Sequence, residues 1–115
     1  MREFELLYAP RAEQDLATLE TRFANQILDD LELLTSWPWP AGKVKRLRGC
    51  PYSEIKTGDY RTVLRQDGDN VVIVRVVNRK DLDRAVRKIN TEAVSRWLDE
   101  ERARREAESK PERGK

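Results

Sequence analysis

The chain has 115 residues, enough for one small domain. Charged and hydrophobic residues each make up 38%, and the apolar ones are clustered and periodic, which argues against disorder throughout. With no histidine and one cysteine, Cys50, an internal disulfide, the common zinc sites, Ser-His-Asp triads and Cys-His dyads are excluded, and acid–base chemistry falls to Asp, Glu, Lys, Arg or Tyr with no metal or cofactor expected.

Residues 4–8 read as a first strand, ended by Pro10. From Ala12, apolar residues recur every three or four positions through Leu16, Leu19, Phe23, Ile27, Leu31 and Leu34, which is one apolar helical stripe. Pro10 stands where a helix start tolerates it; either one helix runs through or two meet near Glu20 and Thr21. Trp37-Pro38-Trp39-Pro40 stops the helix. Residues 52–56, 60–66 and 71–77 read as three strands, with Asp67-Gly68-Asp69 as the turn between the last two. Residues 81–89 form a short helix, and 91–108 another whose apolar patch is Ala93, Val94, Trp97 and Leu98. Residues 110–115 read as a disordered tail. The order of elements describes a small α+β domain over 1–90, with a helical extension over 91–109. No apolar run reaches the length of a membrane span, the opening residues lack a signal peptide's apolar stretch, and the single cysteine suits a reducing compartment, so a cytoplasmic protein without a membrane partner is expected.

The strand register follows from sidedness. A three-residue loop at 67–69 pairs Gln66 with Asn70, Leu64 with Val72 and Arg61 with Arg75. It puts Tyr60, Thr62 and Leu64 beside Val72, Val74 and Val76, toward the helices, and leaves Arg61 and Arg75 on the other, open face. A two-residue loop drives Arg61 against Val74 in the core, where an unpaired guanidinium is too costly.

Charge is unevenly distributed. Residues 1–40 hold three basic and eight acidic side chains, whereas residues 41–90 hold thirteen basic and six acidic ones. The basic middle brings Lys43, Lys45, Arg46, Arg48, Lys56, Arg61, Arg75 and Arg79 into one region. Guanidinium forks match phosphate oxygens, so this set suits a nucleic-acid backbone. The alternative is a solvated face balanced by Glu54, Asp59 and Asp81. Trp37 and Trp39 either stack on bases or, as Pro-locked loops do more often, pack on the domain's own core. Cys50 reads as a structural bystander.

The chain resembles the RelE/ParE superfamily of toxins from type II toxin–antitoxin pairs. The likeness runs from about Phe4 to Arg87. It rests on Ala12-Glu13-Gln14-Asp15-Leu16-Ala17-Thr18-Leu19, Lys45-Arg46-Leu47-Arg48-Gly49, Ile55-Lys56-Thr57-Gly58-Asp59-Tyr60-Arg61 and Asn78-Arg79-Lys80-Asp81-Leu82. The resemblance implies an N-terminal strand and helical hairpin packed on one face of a mainly antiparallel sheet, and a partner antitoxin. In the RelE branch it implies cleavage of messenger RNA on the ribosome, and in the ParE branch inhibition of DNA gyrase without nuclease chemistry; a relic that only binds its antitoxin is a third possibility.

Arg61 and Arg79 match the arginines that serve the scissile phosphate and the leaving group in the nucleases. Two lysines that some RelE nucleases carry on the strand before Gly-Asp fall at about Tyr52 and Glu54 here, and the family's frequent tyrosine after the Arg-Lys-Asp element is Asp83. The expected function is that of an endoribonuclease toxin blocking translation, in which the ribose 2′-OH attacks the adjacent phosphate. Arg61 stabilises the phosphorane, Arg79 serves the leaving oxygen, and Glu54 is the base by position, with Asp81 and Asp83 behind it. Lys43, Lys45, Arg46, Arg48, Lys56 and Arg75 are the expected RNA-binding residues.

Overall fold

The computed structural model describes residues 2–109; the tail expected at 110–115 lies outside the described residues. In chain order the elements are β1 (Arg2–Glu3), β2 (Glu5–Tyr8), α1 (Pro10–Ala17), α2 (Thr21–Glu32), β3 (Ser36–Trp37), β4 (Val44–Arg46), β5 (Ser53–Thr57), β6 (Tyr60–Asp67), β7 (Asn70–Asn78), α3 (Leu82–Arg87) and α4 (Thr91–Ser109). The main sheet runs β2-β7-β6-β5-β4, with β2 parallel to β7 and every other pair antiparallel. This is the α+β fold with a mainly antiparallel sheet that the sequence led us to expect.

The helical stretch is two helices. Pro10 opens α1, and Thr18 closes it by donating its hydroxyl to the Asp15 carbonyl at 2.7 Å. The apolar stripe then meets one sheet face. Ala12, Ile27, Leu31 and Leu34 are buried there against Ile55, Leu64, Val71, Ile73 and Val76. Phe4 and Trp39 extend this core, the Trp39 indole donating to the Leu34 carbonyl at 3.0 Å. Trp37 keeps an edge contact to Trp39 but is 46% exposed.

The second face is not open, contrary to expectation. Leu7, Tyr52, Val63, Val72 and Val74 form a second core closed by Leu98 of α4, with Val94 and Trp97 beside it. Four apolar residues suffice because polar anchors hold the rest of α4. The Tyr52 hydroxyl lies 2.9 Å from Thr91 Oγ1 at the start of α4. Further along, Arg102 donates to the Asp67 carbonyl at 2.7 Å, the Asp67 carboxylate at 2.9 Å and Asn70 at 3.0 Å. Arg105 reaches Glu5 at 2.6 Å. The hydrogen bond from Arg102, aided by Arg65, holds the Asp67 carboxyl below its ordinary range.

The register also differs from expectation. The β6–β7 turn has two residues, Gly68 and Asp69, between the paired Asp67 and Asn70; Gly68 takes φ +60°, which a β-carbon would resist. Leu64 therefore pairs with Ile73, not Val72. The pairing of Arg61 with Val74 is averted by a β-bulge: Val74 has no partner, so pairing resumes as Val63 with Arg75 and Arg61 with Val77. Arg61 and Arg75 still share a face by alternation, but Leu64 and Val72 end up in different cores.

Candidate active-site cleft

The antiparallel pairing lines up two rungs across one face. Lys45, Glu54, Val63 and Arg75 form the first, and Lys56, Arg61 and Val77 the second. This is the face that α4 covers over Val63 and Val72, and the β4–β5 end lies beyond its cover.

There Glu54 is only 6% exposed. Arg61 Nε lies 3.5 Å from Glu54 Oε1, and the Arg61 side chain is also largely enclosed. Arg61 Nη1 donates to the carbonyls of Gly58 and Tyr60, both at 3.0 Å. The turn carbonyls thus fix the guanidinium, and the guanidinium sets the carboxylate. Glu54 Oε1 has no hydrogen-bond donor among the described residues. That oxygen is closed to solvent, and the charge it faces is the Arg61 guanidinium at 3.5 Å.

Gly42, Lys43, Lys45, Glu54 and Lys56 line a shallow cleft. Lys45 and Lys56 are exposed, and neither has an ion-pair partner among the described residues. Lys43 is less free, because its Nζ lies 3.1 Å from Asp30 of α2, which also accepts from Thr57 at 2.6 Å. Arg79 sits at the end of the sheet in a second hollow with Asp59, Asn78 and Lys80. Its Nε is 3.6 Å from the Asp59 carboxylate, and both side chains are exposed.

The structure thus gathers Glu54, Arg61, Lys43, Lys45 and Lys56, and sets Arg79 nearby across the Gly58-Asp59 turn. It does not gather the others. Arg75 is turned to α1, where its Nε donates to Asp15 at 2.7 Å. Arg46 pairs with Ser53 and alternates to the opposite face, and Arg48 lies exposed in the turn after β4. Asp81 is tied to Arg84 at 2.5 Å, while Asp83 is exposed on α3. Sequence reasoning missed Asp15, which clamps Arg75 and also accepts from the Val76 N–H at 2.9 Å. Its acidic side chain on an otherwise apolar helical stripe was the available signal. Among the described residues no cluster of His, Cys, Asp or Glu could hold a metal ion, and no helix is long and apolar enough to cross a membrane.

A strand and helical hairpin packed on a five-stranded sheet is the fold of RelE-like toxins. A free-state mutant of E. coli RelE superimposes with a TM-score of 0.60 at 24% identity, over 77% of this chain and 99% of that one. The toxin–antitoxin complex RelBE2 from Mycobacterium tuberculosis gives 0.59 at 25% identity, over 68% and 93%. YafQ from E. coli gives 0.58 at 16%, over 70% and 98%. None of the curated proteins matches the chain in sequence. The family model for the ParE toxin of type II toxin–antitoxin systems matches residues 6–83, and the chain belongs to that family, within the RelE/ParE superfamily. It is the toxin of a type II pair, whose partner is an antitoxin.

Proposed function

We propose that this toxin is an endoribonuclease that cleaves messenger RNA bound to the ribosome. The observation that carries this reading is the Glu54 carboxylate, largely enclosed and set by Arg61 at the wall of a lysine-lined cleft. A ribose 2′-OH entering the cleft meets this carboxylate, and the adjacent phosphate meets Lys45 and Lys56. Glu54 takes the 2′-OH proton as the oxygen attacks phosphorus, and the 5′-oxygen departs. Arg61 keeps Glu54 in place and offers its remaining Nη2 to the phosphorane, while Arg79 serves the leaving oxygen. Lys43 adds charge at the edge of the cleft. Structural likeness to RelE and YafQ supports the reading.

A second reading, a gyrase inhibitor without nuclease chemistry, is favoured by how fully Arg61 is engaged. Two carbonyls and Glu54 occupy Nη1 and Nε, leaving little of the fork for phosphate.

Induction in a host, with mapping of RNA ends and of DNA supercoiling, separates the two. The nuclease reading expects Glu54→Gln to slow cleavage by about 10²-fold or more, and Arg79→Ala by a similar factor, with ribosome binding retained. Arg79→Lys restores only part, since the ammonium lacks the fork. Because Glu54→Gln also unpairs Arg61, its melting temperature is measured alongside. Toxicity that survives both substitutions together, with supercoiling lost and no RNA ends, refutes the nuclease and selects the gyrase reading.

A further inference from the structure

Asp30 lies near the end of α2, between Ile27 and Leu31, whose burial fixes the helix on the sheet. Its two carboxylate oxygens go to different elements. Oδ1 lies 3.1 Å from Lys43 Nζ, in the turn that leads into β4. Oδ2 accepts from the hydroxyl of Thr57, the last residue of β5, at 2.6 Å. The Asp30 and Lys43 side chains each retain only 24% exposure. Solvent therefore screens this pair far less than an exposed one such as Arg22 with Glu20.

The two partners stand on the two sides of the lysine-lined cleft. On the β4 side, Pro40, Ala41 and Gly42 offer no polar side chain, so Lys43 is the residue by which this turn can be tied to α2. On the β5 side, Thr57 precedes Gly58, whose carbonyl joins that of Tyr60 in holding Arg61, and Arg61 in turn sets Glu54. We propose that Asp30 is a positioning residue for RNA cleavage. It holds the Lys43 turn and the Thr57–Gly58 end of β5 at a fixed separation, so that Lys43 meets the phosphate while Glu54 meets the 2′-OH. Two of the three Lys43 N–H donors remain for phosphate oxygens. The proposal rests on the nuclease reading and adds to it a residue that acts through Lys43 and Thr57. Charge alone gives the opposite sign: an anion beside a cation of the cleft weakens attraction for RNA, so its removal by itself lowers KM and spares kcat.

The test measures kcat and KM separately, with the full-length chain acting on messenger RNA bound to ribosomes and with melting temperatures taken alongside. Asp30→Ala is expected to lower kcat by about 10-fold per folded molecule and to raise KM by no more than about two-fold. Thr57→Val is nearly isosteric and cuts the β5 tie alone; it is expected to lower kcat by about three-fold or more, and Thr57→Ser, which keeps the hydroxyl, to stay within about two-fold of wild type. Adding Thr57→Val to Asp30→Ala is expected to cost less than about two-fold more, because both cut the same link. Folded Asp30→Ala with kcat within about two-fold of wild type, whether KM is unchanged or lower, overturns the positioning role and leaves the nuclease reading intact. Where Asp30→Ala does not fold, Thr57→Val decides, and a kcat within about two-fold of wild type, or one equal to that of Thr57→Ser, overturns the proposal. A wild-type chain that cuts no RNA overturns both.

Discussion

Replacing Asp15 by alanine tests how the edge of the sheet is sealed. Strand β2 pairs with β7 only as far as Ile73, so the N–H groups beyond it face α1 instead of a strand. Asp15 answers them, taking the Val76 N–H at 2.9 Å and the Arg75 guanidinium at 2.7 and 3.3 Å. The two charged side chains retain 16% and 14% exposure. Stranding one partner of a fully buried pair costs about 3–5 kcal/mol; this residual exposure brings the pair to the bottom of that range or just below. An unmet Val76 N–H adds about 1 kcal/mol, and relaxation around the small alanine returns some of it. We expect a loss of about 3 kcal/mol. With a urea m-value of roughly 2 kcal/mol/M, that lowers the unfolding midpoint by about 1.5 M. Asp15→Asn keeps an acceptor for Val76 and loses less. Adding Arg75→Met to Asp15→Ala removes the stranded charge and recovers about half. Urea titrations at unchanged m-value provide the measurement. A destabilisation below about 0.5 kcal/mol for Asp15→Ala refutes the sealing role. Because Arg75 is committed to this clamp, the proposed nuclease reading expects Arg75→Met to leave RNA cleavage per folded molecule within about two-fold of wild type, in contrast to Arg79→Ala.

Leu98 of α4 is buried to 1% exposure against the sheet, so Leu98→Ala is expected to cost about 2–5 kcal/mol and to raise hydrogen exchange along α4. Loss of exchange protection confined to β4 and β5 contradicts that placement. Asp67 has its folded pKa depressed below the usual 3.8, so its anchoring of Arg102 is fully present above that value and is lost as pH falls through the lower folded value. Asp67→Asn is therefore expected to reduce the acid slope of stability below about pH 4, and an unchanged slope in acid titrations counts against the anchor. Gly68→Val forces a β-branched residue to φ +60° in a two-residue turn, with an expected loss of more than about 1 kcal/mol in thermal unfolding. An unchanged melting temperature contradicts the turn geometry.

Much of the fold is legible in the residues themselves. The stripe from Ala12 to Leu34 has a period that only a helix satisfies, and that stripe is what α1 and α2 bury. Gly58 and Gly68 mark the two tight turns, and the runs around them are the three central strands. The basic cluster and Glu54 were visible too, because charge types are read directly from the chain. What the chain could not reveal is which of those charges meet. Residues 71–77 are Val-Val-Ile-Val-Arg-Val-Val, a run so nearly uniform that a slip of one residue leaves both faces apolar. Register was therefore decided by the two-residue turn and by the bulge at Val74, which depends on two packed faces and not on one. Asp15 and Arg75 lie 60 positions apart, and no local pattern announces their pairing. The same holds for α4. Its charged surface reads as solvated in isolation, and only the apolar second face of the sheet, with Tyr52, Asp67 and Glu5 around it, gives Leu98 and Arg102 something to close upon. Periodicity is a local property and survives in one dimension, whereas ion pairs, register and coverage are set by the whole chain's packing, where burial decides which charges must find each other.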